Sequence, residues 1–277
     1  MQHKTPIGVF DSGYGGLTVL KEMVALLPQY DFIYLGDNAR APYGTRSFES
    51  VYQYTLESVQ WLFEKNCHLV VLACNTASAK ALRSIQQIDL QKMGNEKRVL
   101  GVIRPTTELI GSYSKSNHIG ILATSGTVSS QSYPIEIGKF FPKAKVFQQA
   151  CPMLVPLVEN NELRNSGCDF FVKKYVDQLL QQSSDIDTIL LGCTHFPLLY
   201  DKIREYCPPS IQIISQGEIV ANSLADYLHR HTRIESRLSQ NSEREFYTTD
   251  SALEFDQHAS LFYGKDIAAK HAQLKNS

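Results

Sequence analysis

Short apolar runs and longer amphipathic stretches alternate along the whole chain. The apolar runs have the length of strands that are buried on both faces, and the amphipathic stretches repeat their apolar positions as helices do. This pattern predicts strands at 7–10, 32–35, 68–73, 99–102, 118–122, 145–147, 188–191, 212–214 and 245–248. It predicts helices at 17–27, 47–65, from about 76 onward, and at 131–139, 167–181, 198–206, 217–230 and 253–262. Strands that alternate with helices indicate an α/β fold with parallel sheets, and the polar segment 230–244 is expected to be a loose loop.

Two strand-and-turn units in the first half of the chain have counterparts in the second half. Residues 7–13 resemble residues 119–126, and residues 70–76 resemble residues 189–195, with a similar spacing in each half. Such a repeat predicts two related lobes. Open α/β sheets bind ligands at the carboxyl ends of their strands, so we expect a site at the turns that follow these strands.

Two cysteines occupy equivalent places in this repeat. Cys74 and Cys193 each follow an apolar strand and one small residue, and each precedes short polar residues, Asn75-Thr76 and Thr194-His195. A small residue lets a ligand approach the backbone, and a following helix start favours an anion or a thiolate. A lone cysteine at a strand end is most simply a core residue. The repeated context favours a functional pair instead.

Asp11 and His195 also lie at predicted strand ends, where each can flank a thiol. A carboxylate and an imidazole are groups that accept or tune a thiol proton. Asp11 can equally be a turn or capping residue, and His195 can be a hydrogen-bonded core histidine. Sequence spacing alone leaves both interpretations open.

Composition narrows the class of protein. The chain has 277 residues, of which 43% are hydrophobic and 20% charged, and its net charge of −1 gives no basic surface for nucleic acid. The first six residues are polar, and no apolar run approaches the roughly 20 residues that span a bilayer, so we expect a cytoplasmic protein without a membrane partner. Six cysteines in a chain of this length do not form a disulfide framework, so we expect reduced thiols.

Two other kinds of site are weakly supported. Gly13 and Gly15 begin a dinucleotide-type loop, and Asp37 stands where an acid could bind ribose, but Thr18 occupies the third glycine position. Asp11 would also place negative charge beside a pyrophosphate. A metal site on the two cysteines and His195 lacks the paired ligand spacing of known zinc sites.

The chain resembles the glutamate racemases of the aspartate/glutamate racemase superfamily over residues 6–262. The motifs that carry the resemblance are GVFDSGYGGLTV at 8–19, YLGD at 34–37, APYGTRS at 41–47, ACNTAS at 73–78, ACPMLVPLVE at 150–159 and LGCTHFP at 191–197. Their number and order make the resemblance specific. Arg104 and Ser215 depart from the pattern at positions outside the chemistry.

The resemblance implies an α/β fold of two pseudo-symmetric lobes, each a mostly parallel sheet flanked by helices, with the active site in the cleft between them. Residues 1–100 with 212–277 would form the first lobe, and residues 101–211 the second. It also implies conversion of L-glutamate to D-glutamate for peptidoglycan in the cytoplasm, with neither pyridoxal phosphate nor a metal. A small-molecule substrate is the expected partner, and a homodimer is compatible with the sequence.

Residue by residue, the resemblance makes Cys74 and Cys193 the catalytic pair and gives Asp11 and His195 assisting roles. Cys74 would deprotonate the D-isomer and Cys193 the L-isomer. The substrate contacts it implies are Asp11, Ser12, Tyr43, Gly44, Asn75, Thr76, Thr124, Thr127, Glu159, Thr194 and His195. An aspartate racemase, a dithiol redox protein and a non-catalytic binding protein are the competing hypotheses.

Overall fold

The computed structural model describes residues 4–94 and 96–275, and the strands in these ranges form two sheets. In chain order they are β1 (Ile7–Asp11), β2 (Phe32–Gly36), β3 (Leu69–Leu72), β4 (Arg98–Gly101), β5 (His118–Ala123), β6 (Lys145–Ala150), β7 (Thr188–Gly192), β8 (Gln212–Ile214), β9 (Arg244–Thr248) and β10 (Ala269–His271). The larger sheet has the order β10-β9-β2-β1-β3-β4, and the smaller one β6-β5-β7-β8. Neighbouring strands in both sheets are parallel, so the predicted α/β fold class is confirmed.

Helices cover both sheets. They are α1 (Leu17–Leu26), α2 (Phe48–Glu64), α3 (Asn75–Lys80), α4 (Leu82–Ser84), α5 (Leu90–Met93), α6 (Ile103–Tyr113), α7 (Ser125–Ser130), α8 (Ser132–Phe140), α9 (Leu154–Glu159), α10 (Ser166–Leu180), α11 (Tyr200–Tyr206), α12 (Gly217–Arg230), α13 (Thr232–Glu235) and α14 (Ala252–Tyr263). Short 3₁₀ turns occupy Asn38–Arg40, Tyr43–Thr45 and Phe196–Leu199, and a π-helical turn occupies Ile85–Asp89. The central strands β1, β3 and β7 are buried along their whole length, as expected for parallel strands between two helical layers.

The internal repeat is present in the strand register. Gly8 of β1 pairs with Val70 of β3, and Gly120 of β5 pairs with Ile189 of β7, so each glycine lies opposite the residue four positions before a cysteine. A Cβ at Gly8 would lie 3.3 Å from Leu62 Cδ1 on α2, and a Cβ at Gly120 would lie 2.8 Å from Leu179 Cδ2 on α10. Both glycines therefore let a helix pack closely on the central strand of its sheet.

In each sheet the strand order reverses beside the first strand in the chain, because later strands are added on both sides of it. In the larger sheet β2 lies on one side of β1 and β3 on the other, and in the smaller sheet β6 and β7 flank β5 in the same way. Loops that leave adjacent strands toward opposite sides open a crevice at the carboxyl edge of the sheet. Asp11 is the last residue of β1 and Cys74 lies just after β3, whereas Thr124 and Cys193 directly follow β5 and β7.

Every predicted strand is present, but several elements were not expected from the pattern. Helix α6 is the longest of these. The pattern did not predict it because Pro105, two threonines and Gly111 weaken its helical signal. Its proline lies in the first turn, where the missing N–H costs nothing, and one face with Ile103 and Ile110 is buried. Tertiary packing therefore outweighs local preference here. The short elements α7, α9, α13 and β10 also escaped prediction.

Two expectations about the C-terminal part are corrected. The segment 230–244 is not a loose loop, because it contains α13 and the Asp31 carboxylate accepts the N–H groups of Asn241 and Glu243, each at 2.9 Å. The strand β8 pairs with β7 in the smaller sheet, with Ile213 opposite Ile189, although the second lobe was expected to end at residue 211. The limits of the lobes otherwise stay a prediction.

Candidate active site

The two cysteines of the repeat lie at corresponding turns of the two sheets. Cys74 is the N-cap of α3, and its Sγ accepts a hydrogen bond from the N–H of Ala77 at 3.4 Å. Cys193 directly follows β7. Both side chains are buried, with 5% of each residue exposed, and both thiols are free. The small residues before them are closely packed, since Ala73 is fully buried and a Cβ at Gly192 would lie 3.1 Å from Ile121 Cγ2.

Both thiols line one small cavity of about 80 Å³. Among the predicted site residues, its walls contain Ser12, Tyr43, Gly44, Cys74, Asn75, Thr76, Thr124, Glu159, Cys193, Thr194 and His195. A cavity of this size has no room for a dinucleotide. The structure therefore brings together nearly all the residues singled out in the sequence. Asp11 and Thr127 lie just behind the wall.

A chain of three side chains runs along the Cys193 side. His195 Nδ1 lies 3.8 Å from Cys193 Sγ, and His195 Nε2 lies 2.9 Å from Glu159 Oε1. Burial by itself would lower the pKa of His195, but the hydrogen bonds to Cys193 and Glu159 outweigh it and raise that pKa to about 10. The imidazole is therefore a cation at neutral pH, held between a carboxylate and a thiol.

The Cys74 side carries a different set of partners. Ser12 Oγ lies 3.5 Å from Cys74 Sγ, and Asp11 Oδ2 accepts the N–H of Gly13 at 3.0 Å. Burial, reinforced by the nearby Asp11 carboxyl, raises the pKa of the Cys74 thiol to about 12. Burial also raises the pKa of Asp11, although His195 and the Gly13 N–H oppose this. Cys74 is therefore a protonated thiol at neutral pH.

Three hydroxyl groups cluster where the two sheets meet. Thr76 Oγ1 lies 2.9 Å from Thr124 Oγ1 and 3.4 Å from Thr127 Oγ1. Thr124 is also the N-cap of α7 and accepts the N–H of Thr127. Hydroxyl groups both donate and accept, so this cluster can bind a carboxylate by reorienting its protons.

The loop that carries Tyr43 and Gly44 closes one wall. The Tyr43 hydroxyl donates to Asp37, which also accepts from Arg40 at 2.7 Å and from Thr249 at 2.8 Å. Burial and the Asp37 carboxylate hold the pKa of Tyr43 well above its usual range. Asp37 thus anchors the loop with three partners and does not face a ribose, which removes the main support for a dinucleotide site.

Partners outside the cavity hold Asn75 and Thr194. The Asn75 Nδ2 donates to Gln216 Oε1 at 2.8 Å, and the Tyr133 hydroxyl donates to Asn75 Oδ1 at 2.6 Å. The backbone carbonyl of Thr194 accepts from Thr18 Oγ1 at 2.9 Å. Neither Gln216 nor Tyr133 was a candidate from the sequence, because each is distant along the chain from the turn it supports.

Sequence reasoning also missed several wall residues. They are Pro42, Thr45, Ser125, Cys151, Pro152, Val155 and Pro156. Cys151 Sγ lies 3.4 Å from the carbonyl oxygen of Gln149. The motif ACPMLVPLVE contains four of the seven residues, so that motif was the available signal. It could not show which of its residues face a cavity.

A larger cavity, of about 800 Å³, lies between α1, α6, α12 and α14 and is lined in part by Lys21, Glu218 and Ser215. We place the site in the smaller cavity because the thiols and the hydroxyl cluster are there.

Arg104 lies on the exposed face of α6 and pairs with Glu108 at 2.8 Å. In residues 4–94 and 96–275, no group of three His, Cys, Asp or Glu side chains is arranged to hold a metal. The same ranges contain no helix that is long and apolar enough to cross a membrane.

The fold is shared with solved amino-acid racemases. A Bacillus anthracis glutamate racemase isoform superposes with a TM-score of 0.89 at 34% identity, over 99% of each chain. A Francisella tularensis glutamate racemase, solved in complex with D-glutamate, gives a TM-score of 0.86 at 28% identity, again over 99% of each chain. The architecture is thus that of a racemase with two parallel sheets.

Sequence relationships identify the family. Residues 7–224 match the model of the family described as Asp/Glu/Hydantoin racemase. The Enterococcus faecalis glutamate racemase is 39% identical over 277 residues, which cover 99% of this chain and 98% of that protein. The chain belongs to the Asp/Glu/Hydantoin racemase family, and it is an isomerase.

Proposed function

We propose that this racemase interconverts L-glutamate and D-glutamate by proton transfer at the α-carbon, with Cys74 and Cys193 as the two acid–base groups. The observation that carries the proposal is the small cavity lined by both thiols, one from each sheet. The relatives described above are named glutamate racemases, which supports glutamate as the substrate. The product would supply peptidoglycan synthesis in the cytoplasm, as the family resemblance implies.

Each thiol serves one face of the α-carbon. In the direction from L-glutamate, the thiolate of Cys193 takes the α-proton and becomes a thiol. The electron pair of the broken C–H bond is delocalised into the α-carboxylate as an enolate. Cys74 then gives its proton to the opposite face of the α-carbon and becomes a thiolate. The product of this protonation is D-glutamate, which leaves the site. The reverse reaction begins from that protonation state, with Cys74 as the base.

The charges around the two sulfurs support this division of roles. Cys74, with a pKa of about 12, holds the proton that the first direction must deliver. The His195 cation lies beside Cys193 and stabilises negative charge on that sulfur, while Glu159 orients the ring. Asp11 and Ser12 would assist Cys74.

The substrate carboxylates need donors on both sides of the cavity. The cluster of Thr76, Thr124 and Thr127 supplies hydroxyl groups that belong to both sheets. Ser12, Asn75 and Thr194 and the Tyr43-Gly44 loop add polar groups around the same space. Donors held in place before the reaction stabilise the enolate without the cost of reorganising solvent.

An assay of D-glutamate formation tests the proposal. We expect the purified protein to convert L-glutamate to D-glutamate without added pyridoxal phosphate or metal. Cys74→Ala and Cys193→Ala should each lower turnover by about 10²-fold or more, because each face loses its acid or base. Cys207→Ala is the matched control, since Cys207 is also a buried free thiol but lies beside α11, away from the cavity.

The competing functions give other results. Aspartate is one methylene shorter, which is worth about 1–3 kcal/mol in a fitted pocket, so glutamate should react about 10–200-fold faster. A preference for aspartate would overturn the substrate assignment. Near wild-type activity in either Cys74→Ala or Cys193→Ala would overturn the two-thiol mechanism. A redox protein would instead show a reversible Cys74–Cys193 disulfide and no racemisation.

A further inference from the structure

The chain crosses between the two sheets twice, and one buried side chain touches both crossings. The outgoing crossing follows β4 and enters α6, and the return crossing follows β8 and enters α12. Gln216 is the N-cap of α12 and is buried. Its Nε2 lies 3.4 Å from the carbonyl oxygen of Val102, the N-cap of α6, and 2.9 Å from Thr106 Oγ1.

The same amide reaches the Cys74 turn through a closed ring of hydrogen bonds. Gln216 Nε2 donates to the Tyr133 hydroxyl at 2.7 Å, and that hydroxyl donates to Asn75 Oδ1 at 2.6 Å. Asn75 Nδ2 then donates to Gln216 Oε1 at 2.8 Å. All three side chains are buried, so each bond is protected from water.

The ring leaves Asn75 little freedom. Both its carbonyl oxygen and one hydrogen of its Nδ2 are used, so the side chain is held in one orientation with the other hydrogen remaining for a ligand. Asn75 is the first residue of α3 and is directly bonded to Cys74, the N-cap of that helix. A shift of Asn75 is therefore transmitted to the Cys74 turn.

We infer that Gln216 is a positioning residue for racemisation, which holds Asn75 and the Cys74 turn in a fixed relation to the two crossings. The inference rests on the proposed two-thiol function. A buried amide needs all its partners to avoid a desolvation cost, and apolar groups of the same shape would pack as well. A closed ring of three buried polar side chains at this place therefore points to geometry at Asn75 rather than to stability alone.

Substitutions in the ring should slow turnover without removing either thiol. Gln216→Met keeps the length of the side chain and removes its polar atoms, and Tyr133→Phe opens the ring at Asn75 Oδ1. We expect each to lower kcat/KM by about 10–100-fold, the scale of a misplaced reacting group. The fold-loss of kcat/KM in the double variant should be smaller than the product of the two single fold-losses, because both substitutions act through Asn75. Gln216→Glu keeps an acceptor for Asn75 and should recover part of the activity.

A directional readout separates positioning from a general loss of structure. The two enantiomers have equal free energy in solution, so kcat/KM must fall equally in both directions. The α-deuterium isotope effect on kcat can differ, and it should rise more with D-glutamate, where Cys74 is the base. Thr107→Val is the control, since Thr107 is a buried hydroxyl of α6 that bonds only to Arg104 O at 2.9 Å among the contacts of the described chain. It should keep activity within about twofold.

The rate at which iodoacetamide alkylates Cys74 gives a readout that does not depend on racemase activity. Mass spectrometry of the Cys74 peptide measures this rate. Gln216→Met should change this rate at least about threefold and leave the Cys193 rate unchanged. Unchanged kcat/KM, isotope effects and Cys74 alkylation in both Gln216→Met and Tyr133→Phe would overturn the inference. Failure of the wild-type protein to racemise glutamate would overturn the proposed function instead, and the alkylation rates would then decide the positioning role. Should Gln216→Met not fold, Tyr133→Phe and Gln216→Glu carry the same comparison.

Discussion

Cys74 and Cys193 have neighbours of opposite charge. Burial and, after it, the Asp11 carboxyl raise the pKa of Cys74, whereas a cationic His195 lies 3.8 Å from the sulfur of Cys193. Alkylation requires a thiolate, so the two thiols should differ in reactivity in the ligand-free protein. At about pH 8 we expect iodoacetamide to modify Cys193 at least about tenfold faster than Cys74, as measured by mass spectrometry of the two peptides. Equal rates would contradict the asymmetry.

Asp11→Asn separates the electrostatic effect of Asp11 from its proposed assistance. The substitution removes a nearby negative charge, so the pKa of Cys74 should fall. A larger fraction of the thiol is then ionised, and its alkylation should accelerate. Racemisation should nevertheless slow by about tenfold or more, because a group that assists proton transfer is lost. Asp187→Asn is the control, since Asp187 lies before β7 at the opposite edge of the smaller sheet. A slower alkylation of Cys74 in Asp11→Asn would show that Asp11 acts otherwise.

His195 links protein stability to pH. Its pKa is raised from 6.5 to about 10 in the folded protein, because hydrogen bonds to Cys193 and Glu159 outweigh the effect of burial. The folded state therefore binds this proton more tightly than the unfolded chain. The resulting stabilisation is complete below about pH 6.5 and is lost as the pH rises through about 10.

We expect the free energy of unfolding of the wild type, relative to His195→Gln, to fall by at least about 1 kcal/mol between these two pH values. Urea unfolding of both proteins at a series of pH values measures this difference, and titrations common to both cancel in the comparison. A difference that is independent of pH would contradict the raised pKa. Glu159→Gln should show a smaller version of the same change, because one of the two partners remains.

At the scale of elements, the glycine-rich turn after β1 must pack against the turn after β7. A Cβ at Gly15 would overlap Thr194 Oγ1 and lie 2.5 Å from His195 Nδ1, and both residues are buried. Gly15→Ala should displace this turn and lower turnover by about 10²-fold. A colorimetric or coupled racemase assay with circular dichroism would distinguish lost activity from lost fold.

Gly138→Ala is the matched substitution, since Gly138 lies in α8 and no atom lies within 4 Å of its added Cβ. Alanine is the better helix former, so this variant should keep full activity and gain about 0.5–1 kcal/mol of stability. Comparable activity in the two variants would show that the Gly15 contact is not needed for the site.

At the scale of the whole molecule, the two sheets place two equivalent crevices against one cavity. Asp11 and Cys74 come from one sheet, and Thr124 and Cys193 come from the other, so under the proposed mechanism each face of a bound substrate would meet its own turn. This arrangement explains why a repeated fold suits a reaction that needs similar chemistry on opposite faces. The homodimer, the cytoplasmic location and the exact lobe limits stay predictions.

The sequence by itself determined the α/β class, the strands and the turns that carry Cys74 and Cys193. Apolar runs of strand length have few alternatives, and the turn motifs contain their candidate site residues within a few positions. The family was recognisable for the same reason. Helix α6 and the anchored segment 230–244 were not, because burial against distant residues outweighs weak local preference there.

Only the tertiary structure decided how these residues act on one another. The pairing of His195 with Glu159 spans 36 positions of the chain, and the contact between Asn75 and Gln216 spans 141. No local pattern encodes such contacts, since they exist only after the strands have paired and the two sheets have met. The raised pKa values of Cys74 and His195 arise in the same way, because both burial and charged neighbours are properties of the folded chain.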